Sequence, residues 1–191
     1  MNKTLFAKEL RANLFVSGII AAVLAMYIGT TVAMYDPKLG ESLDLMMQSM
    51  PELFAAFGMS MQATTLLEFM LNYLYGFLLT IFILVLILVM VNKLMVRYLD
   101  RGAMAYLLAT PNSRTRIALT MVGVMVAILV GLCALTTALE VGFAEALFPG
   151  DLDVRALVQV NLGLLALWLA TAGLCFLSAC LFSNSSAALW A

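Results

Sequence analysis

The feature that most restricts this chain is a set of four apolar runs, at about residues 14–35, 69–91, 117–139 and 156–182. Each is close to the ~20 residues an α-helix needs to cross bilayer hydrocarbon. Lipid offers no hydrogen-bond partner to the backbone, so runs of this length in a membrane must be helices, which pair every N–H and C=O internally. Composition leaves little alternative. The chain is 64% hydrophobic and only 11% charged, whereas an ordinary soluble domain is about half apolar. The first run exceeds the ~7–15 residues of a signal-peptide core and reads as an uncleaved first span. The expectation is an all-α integral membrane protein with four predicted transmembrane helices, in one domain over residues 1–191.

Charge placement orients these spans. Lys3, Lys8, Arg11, Lys93, Arg97, Arg101, Arg114 and Arg116, eight of the ten basic residues, fall on one side with only Glu9 and Asp100. The loops 36–68 and 140–155 hold Lys38, Arg155 and the other acidic residues. The positive-inside rule then puts the amino terminus in the cytoplasm. Lys3, Lys8 and Arg11 beside Leu5, Phe6 and Leu10 suit a short amino-terminal interfacial helix before the chain turns into the bilayer. In the first outer loop, Leu43, Met46, Met47, Met50, Leu53, Phe54 and Phe57 recur at helical spacing and predict an amphipathic helix.

Several chemistries are excluded or disfavoured. Without histidine there is no imidazole acid–base group and the commonest metal ligand is missing. Cys133, Cys175 and Cys180 sit inside apolar runs without a C-x-x-C spacing and read as small packing residues rather than metal ligands. No Gly-Lys dipeptide exists, so a phosphate-binding P-loop is absent and the chain itself binds no ATP in that manner. No basic domain offers itself to nucleic acid. The outer methionines Met47, Met50, Met59 and Met61 are soft enough for copper(I), which keeps a copper-handling exporter open. The favoured alternative is adaptable apolar packing, since no His or Cys joins them.

Two faces of small residues predict close helix approach: Gly123, Ala127 and Gly131 in the third span, and Gly163, Ala166, Ala170 and Gly173 in the fourth. Their neighbour is either this chain or a partner. The polar residues Glu68, Asn72, Thr136, Thr137, Glu140, Gln159 and Asn161 gather at the outer ends of spans rather than mid-membrane. That pattern disfavours an ion relay and suits an apolar path, although side chains snorkelling to the interface explain it equally.

The stretch from Arg97 to Arg116, RYLDRGAMAYLLATPNSRTR, is the long polar interruption between the second and third spans. Leu99, Ala103 and Tyr106, widened by Met104, Leu107 and Leu108, give one broad apolar helix face. Thr110 before Pro111 ends that helix, and Asn112 or Ser113 can cap the next. Arg114 and Arg116 fall in its first turn, where the macrodipole disfavours cations by a few tenths of a kcal/mol. Attraction to anionic headgroups, about 1 kcal/mol per basic residue, outweighs that cost.

Asp100, Gly102, Leu107, Leu108, Pro111, Ser113 and Arg114 together resemble the first cytoplasmic loop of type-2 ATP-binding-cassette (ABC) transporter permeases. In that family an acidic residue, a glycine two on, a Leu-Leu pair and Pro-x-Ser-Arg follow the second span, and the opening Lys-Glu-Leu-Arg at residues 8–11 is similar too. The resemblance implies that residues 97–116, with Tyr106 on the apolar face, form a coupling helix docking on a separate ATPase subunit. That subunit would hold ATP and magnesium, and this chain no cofactor and no enzymatic activity. It further implies a second permease copy or homologue, membrane lipid as a partner, the cytoplasmic (plasma) membrane as location and export of an amphipathic substrate. Asp100 stands where Glu is common. The family has six spans, so two more are expected after Ala191 or on a second polypeptide. A reading from another class is a non-transporting scaffold or sensor whose central loop binds a cytoplasmic partner.

Overall fold

The computed structural model describes residues 3–35, 49–50, 52, 65–96 and 113–181. Among them there is no strand, and four helical stretches are long and apolar enough to cross a membrane. Helix α1 is Lys3–Met34. The second stretch, Leu66–Leu94, combines α2 (Leu66–Met70), a π-helical turn (Leu71–Tyr75), α3 (Leu78–Val91) and a second π-helical turn beginning at Asn92. Helices α4 (Arg114–Leu147) and α5 (Val154–Leu181) complete the set. Large apolar side chains point outward throughout, Phe15 at 76% exposure and Leu174 at 69% among them. In water such a surface is untenable; beside lipid tails it carries no such cost, which fits a multi-pass membrane protein.

The helix ends follow from local chemistry. Thr65 and Glu68 form a reciprocal capping box, the Glu68 N–H donating to Thr65 Oγ1 at 3.3 Å and the Thr65 N–H to Glu68 Oε2 at 3.0 Å. Glu68, read in the sequence as loop, thus lies in the first turn of a helix. Ser113 caps α4 as expected, its Oγ accepting from the Arg116 N–H at 3.3 Å. Asp153 Oδ1 accepts from the N–H groups of Arg155 and Ala156 at 3.0 and 3.1 Å and so opens α5. Between α4 and α5 the chain turns at Phe148–Asp151, closed by the Asp151 N–H on the Phe148 carbonyl at 3.3 Å. Pro149 and Gly150 occupy the central positions, and Gly150 has φ +88°, the pattern of a type II turn.

Two helices run further than the sequence suggests. With 32 residues α1 is about 48 Å long and with 34 residues α4 about 51 Å, both beyond the ~30 Å of hydrocarbon. Residues 140–147, assigned above to the outer loop, continue α4. The expected turn between an interfacial helix and the first span is absent, because nothing between Lys3 and Met34 breaks the helix. The outer-loop amphipathic helix, apart from an exposed Met50, and the apolar helix of the central loop lie outside the described residues.

The chain divides into two compact units. One comprises residues 1–20, 83–132 and 164–191; the other, 21–82 and 133–163. In the first, Ile83, Leu86, Ile87 and Met90 of α3, Met121, Val124 and Ile128 of α4, and Trp168 and Ala172 of α5 are buried. The start of α1 contributes a buried polar line, Glu9, Asn13 and Ser17, rather than its Leu and Phe residues. In the second unit, Leu24, Ile28 and Val32 of α1 are buried, as are Leu66, Met70, Leu74 and Leu79. Aromatic contacts add to it: Tyr35 lies 5.5 Å from Phe69 and edge-on to Phe148 at 5.2 Å. Gly29 admits the Phe143 ring, whose Cζ lies 3.2 Å from where a Cβ would stand.

Gly150→Val should lower stability by about 1–2 kcal/mol, because a β-branched residue is strained at positive φ. Gly163→Ala, with nothing within 4 Å of a new Cβ, should be neutral or slightly stabilising. Thermal unfolding of the detergent-solubilised protein compares the two.

Candidate functional site

Most polar side chains in these helices are satisfied by their own backbone. Ser17 donates to the Asn13 carbonyl at 3.0 Å, Thr120 to Arg116 at 2.7 Å, Thr137 to Cys133 at 2.8 Å and Thr171 to Leu167 at 2.8 Å, all four residues back. Thr136 reaches the same Cys133 carbonyl at 3.0 Å. Such hydroxyls lie in an apolar helix without needing a partner on another.

Tyr75, Glu140 and Asn161 behave differently, since they bond to one another from three separate spans. The Tyr75 hydroxyl lies 3.0 Å from each Glu140 carboxyl oxygen and 2.8 Å from Asn161 Oδ1. The Asn161 amide donates to Glu140 Oε2 at 2.7 Å. All three are buried, Glu140 at 0% exposure, Asn161 at 2% and Tyr75 at 9%. The cluster belongs wholly to the second unit. Glu140 stands seven residues before the end of α4 and Asn161 seven after the start of α5, about two turns in from each end.

Local structure aims these groups. The π-helical turn Leu71–Tyr75 carries both Asn72 and Tyr75 inward. A widened turn displaces side chains from the regular helical register and leaves carbonyls poorly matched, a feature frequent at functional sites. Here the Thr80 hydroxyl donates to the Tyr75 carbonyl at 3.1 Å. On α4, Cys133, Thr136 and Glu140 share one buried face, and the Cys133 thiol donates to the Asn161 carbonyl at 3.5 Å. All three cysteines are free.

Of the polar residues noted at span ends, the structure therefore joins Glu140 and Asn161. Full burial replaces interfacial snorkelling as the account of these two. Gln159 is exposed and Glu68 serves its cap. Tyr75 was missed, because an aromatic residue at a span end reads as an interface anchor and a π-turn has no sequence signature. Outside the membrane-spanning segments, the Tyr35 phenol is held above its ordinary range by partial burial and then by the negative charges of Asp151 and Glu68.

Among the described residues, most of the two small-residue faces is left unpacked. Ala127, Gly131, Gly163, Ala166, Ala170 and Gly173 are exposed, with open space around Gly131, Gly163 and Gly173, while Gly123 is half-buried. On α5 the buried line is instead Leu157, Asn161, Leu164, Trp168 and Ala172. Within the first unit, α4 and α5 border an apolar groove of about 580 Å³, lined by Met125, Leu129, Leu169, Phe176 and Leu177. Among the described residues no cluster of His, Cys, Asp or Glu could hold a metal ion. Asp100, Gly102, Tyr106, Leu107, Leu108 and Pro111, like Met47, Met59 and Met61, lie outside the described residues; Arg114 opens α4.

No family model matches this chain, and neither a curated protein nor a solved structure does.

Tyr75→Phe and Asn161→Leu should each lower stability by about 0.5–2 kcal/mol, the range of hydrogen bonds between membrane helices. The double variant should lose less than the sum, since either change already opens the same cluster. A double-mutant cycle on unfolding in mixed micelles measures that coupling.

Proposed function

We propose that this chain is a permease subunit of a type-2 ABC transporter in the cytoplasmic membrane, exporting an amphipathic substrate with energy from a separate ATPase. The observation that carries the reading is the residue pattern of the 97–116 loop, from Asp100 and Gly102 through Leu107-Leu108 to Pro111, Ser113 and Arg114. That loop joins two helices each long enough and apolar enough to span a membrane. It holds Arg97, Arg101, Arg114 and Arg116, which favours the cytoplasmic side.

In this reading the loop helix presents Tyr106, Leu107 and Leu108 to a cleft on the ATPase. ATP-driven closure there moves the second and third spans as levers. The exposed Lys3, Lys8 and Arg11 on the first turns of α1 sit at the cytoplasmic headgroups, where long basic side chains keep their charges wet. The small-residue faces of α4 and α5 are offered to spans outside this chain, in a second permease copy or a homologue. The apolar groove bordered by α4 and α5 suits an apolar or amphipathic cargo better than a charged one.

Two experiments test this reading. A pull-down in mild detergent should recover an ATPase subunit with ATP turnover. Leu107→Asp or Leu108→Asp should abolish recovery while membrane insertion stays normal, because a buried unpaired carboxylate costs several kcal/mol. Wild-type assembly and turnover in both variants would sink the docking idea. For orientation, cysteines replacing Ser42 and Asp151 should react with an impermeant reagent in sealed cells, and one replacing Ser113 should not.

A further inference from the structure

The triangle of Tyr75, Glu140 and Asn161 has three edges: Tyr75 Oη to Glu140 at 3.0 Å, Tyr75 Oη to Asn161 Oδ1 at 2.8 Å, and Asn161 Nδ2 to Glu140 Oε2 at 2.7 Å. Each edge joins atoms bearing lone pairs, so each needs one proton lying along it. The phenol supplies one. The amide supplies one, because its oxygen faces the other edge. An ionised carboxylate supplies none, and two protons cannot fill three edges. The count does not depend on which way the amide is placed. With its oxygen and nitrogen exchanged, the amide donates to Tyr75 and Tyr75 donates to Glu140. The contact between Asn161 oxygen and Glu140 Oε2 is then the edge left without a proton.

We infer that Glu140 is a proton-binding site, carried as the neutral acid, whose proton closes this ring and clamps three spans together. With the proton in place the carboxyl O–H donates to Tyr75, Tyr75 donates to Asn161 Oδ1, and Asn161 Nδ2 donates to the Glu140 carbonyl oxygen. Every edge is then filled and no net charge is buried. Removing the proton empties one edge and leaves a carboxylate that water does not reach. Among the described residues no cation offsets it. The titratable groups facing Glu140 are Tyr75 from the second span and Cys133 from its own helix. From α5 it meets Asn161, and Arg155 of that helix is exposed. The inner residues of α1 in this unit carry Tyr27, whose ring lies 5.8 Å from Phe82. A buried unpaired carboxylate is strongly disfavoured, so loss of the proton opens the clamp. The site thus binds a proton as its ligand and releases three spans when it gives that proton up, whatever the cargo of the transporter.

Linkage sets the sign of the effect. The folded protein holds one proton more than an unfolded chain with an ionised Glu140, so stability falls as pH rises. Glu140→Gln replaces the acid O–H with an amide N–H of the same reach and keeps all three edges filled. The test uses the full chain in lipid nanodiscs. Infrared difference spectra of wild type against Glu140→Gln at neutral pH should contain the C=O band of a neutral carboxylic acid, and Tyr75→Phe should shift that band. Glu140→Gln should unfold at the wild-type temperature in acid, below the ordinary carboxyl range, and lose the wild type's decline as pH rises from there through neutrality, whereas Glu140→Ala should unfold at a lower temperature than Glu140→Gln throughout. The absence of the acid band from wild type at neutral pH overturns the inference. So does a Glu140→Gln variant as unstable as Glu140→Ala, which would mean that the ionised carboxylate is what the site requires.

Discussion

The structure depends on the rule that a polar group taken out of water must find its partner inside the protein. For the backbone that rule makes helices of the apolar stretches. For the side chains it produces two solutions in one chain. Hydroxyls on α1, α4 and α5 bond back to carbonyls of their own helix and leave helix packing unaffected. Tyr75, Glu140 and Asn161 have no such local outlet, so their satisfaction requires three spans to be in place at once. Buried polar clusters of this kind specify one arrangement more sharply than apolar contacts, because a half-satisfied cluster is worse than none.

This matters more beside lipid than in water. Apolar side chains gain little by leaving lipid for one another, so the buried leucines and methionines of both units fix shape through close packing rather than through a hydrophobic driving force. The Gly29 to Phe143 approach and the edge-on Tyr35 to Phe148 contact are instances of such packing in the second unit. Where the described residues leave a face unpacked, as at Gly131, Gly163 and Gly173, the surface is open to lipid, to another chain or to segments outside the described residues.

In the proposed transporter these features have separate roles. On that proposal mechanical input would enter at the central loop, and α4 begins directly after it with the Ser113 cap. Glu140 lies on that same α4, so the proposed proton-held clamp and the proposed coupling loop would bear on one helix.

The sequence by itself determined the all-helical class, the four stretches long and apolar enough to cross a membrane among the described residues and several of their ends, because these rest on local physics. Apolar length set the spans; Ser113, Asp153 and the Pro149-Gly150 pair set starts and turns through bonds to residues nearby. Sequence also marked Glu140 and Asn161 as polar residues of interest. What it could not weigh was how far α1 and α4 continue past the hydrocarbon, since no breaker marks the interface. Only the tertiary structure decided that Glu140 and Asn161 are buried together rather than extended toward water, and that Tyr75 completes them. Those partners are 65 and 86 residues apart from Tyr75 along the chain, and no periodicity encodes a meeting between different helices. The same holds for the small-residue faces: spacing identified them, but their exposure depends on the larger side chains of α5 having taken the interior position.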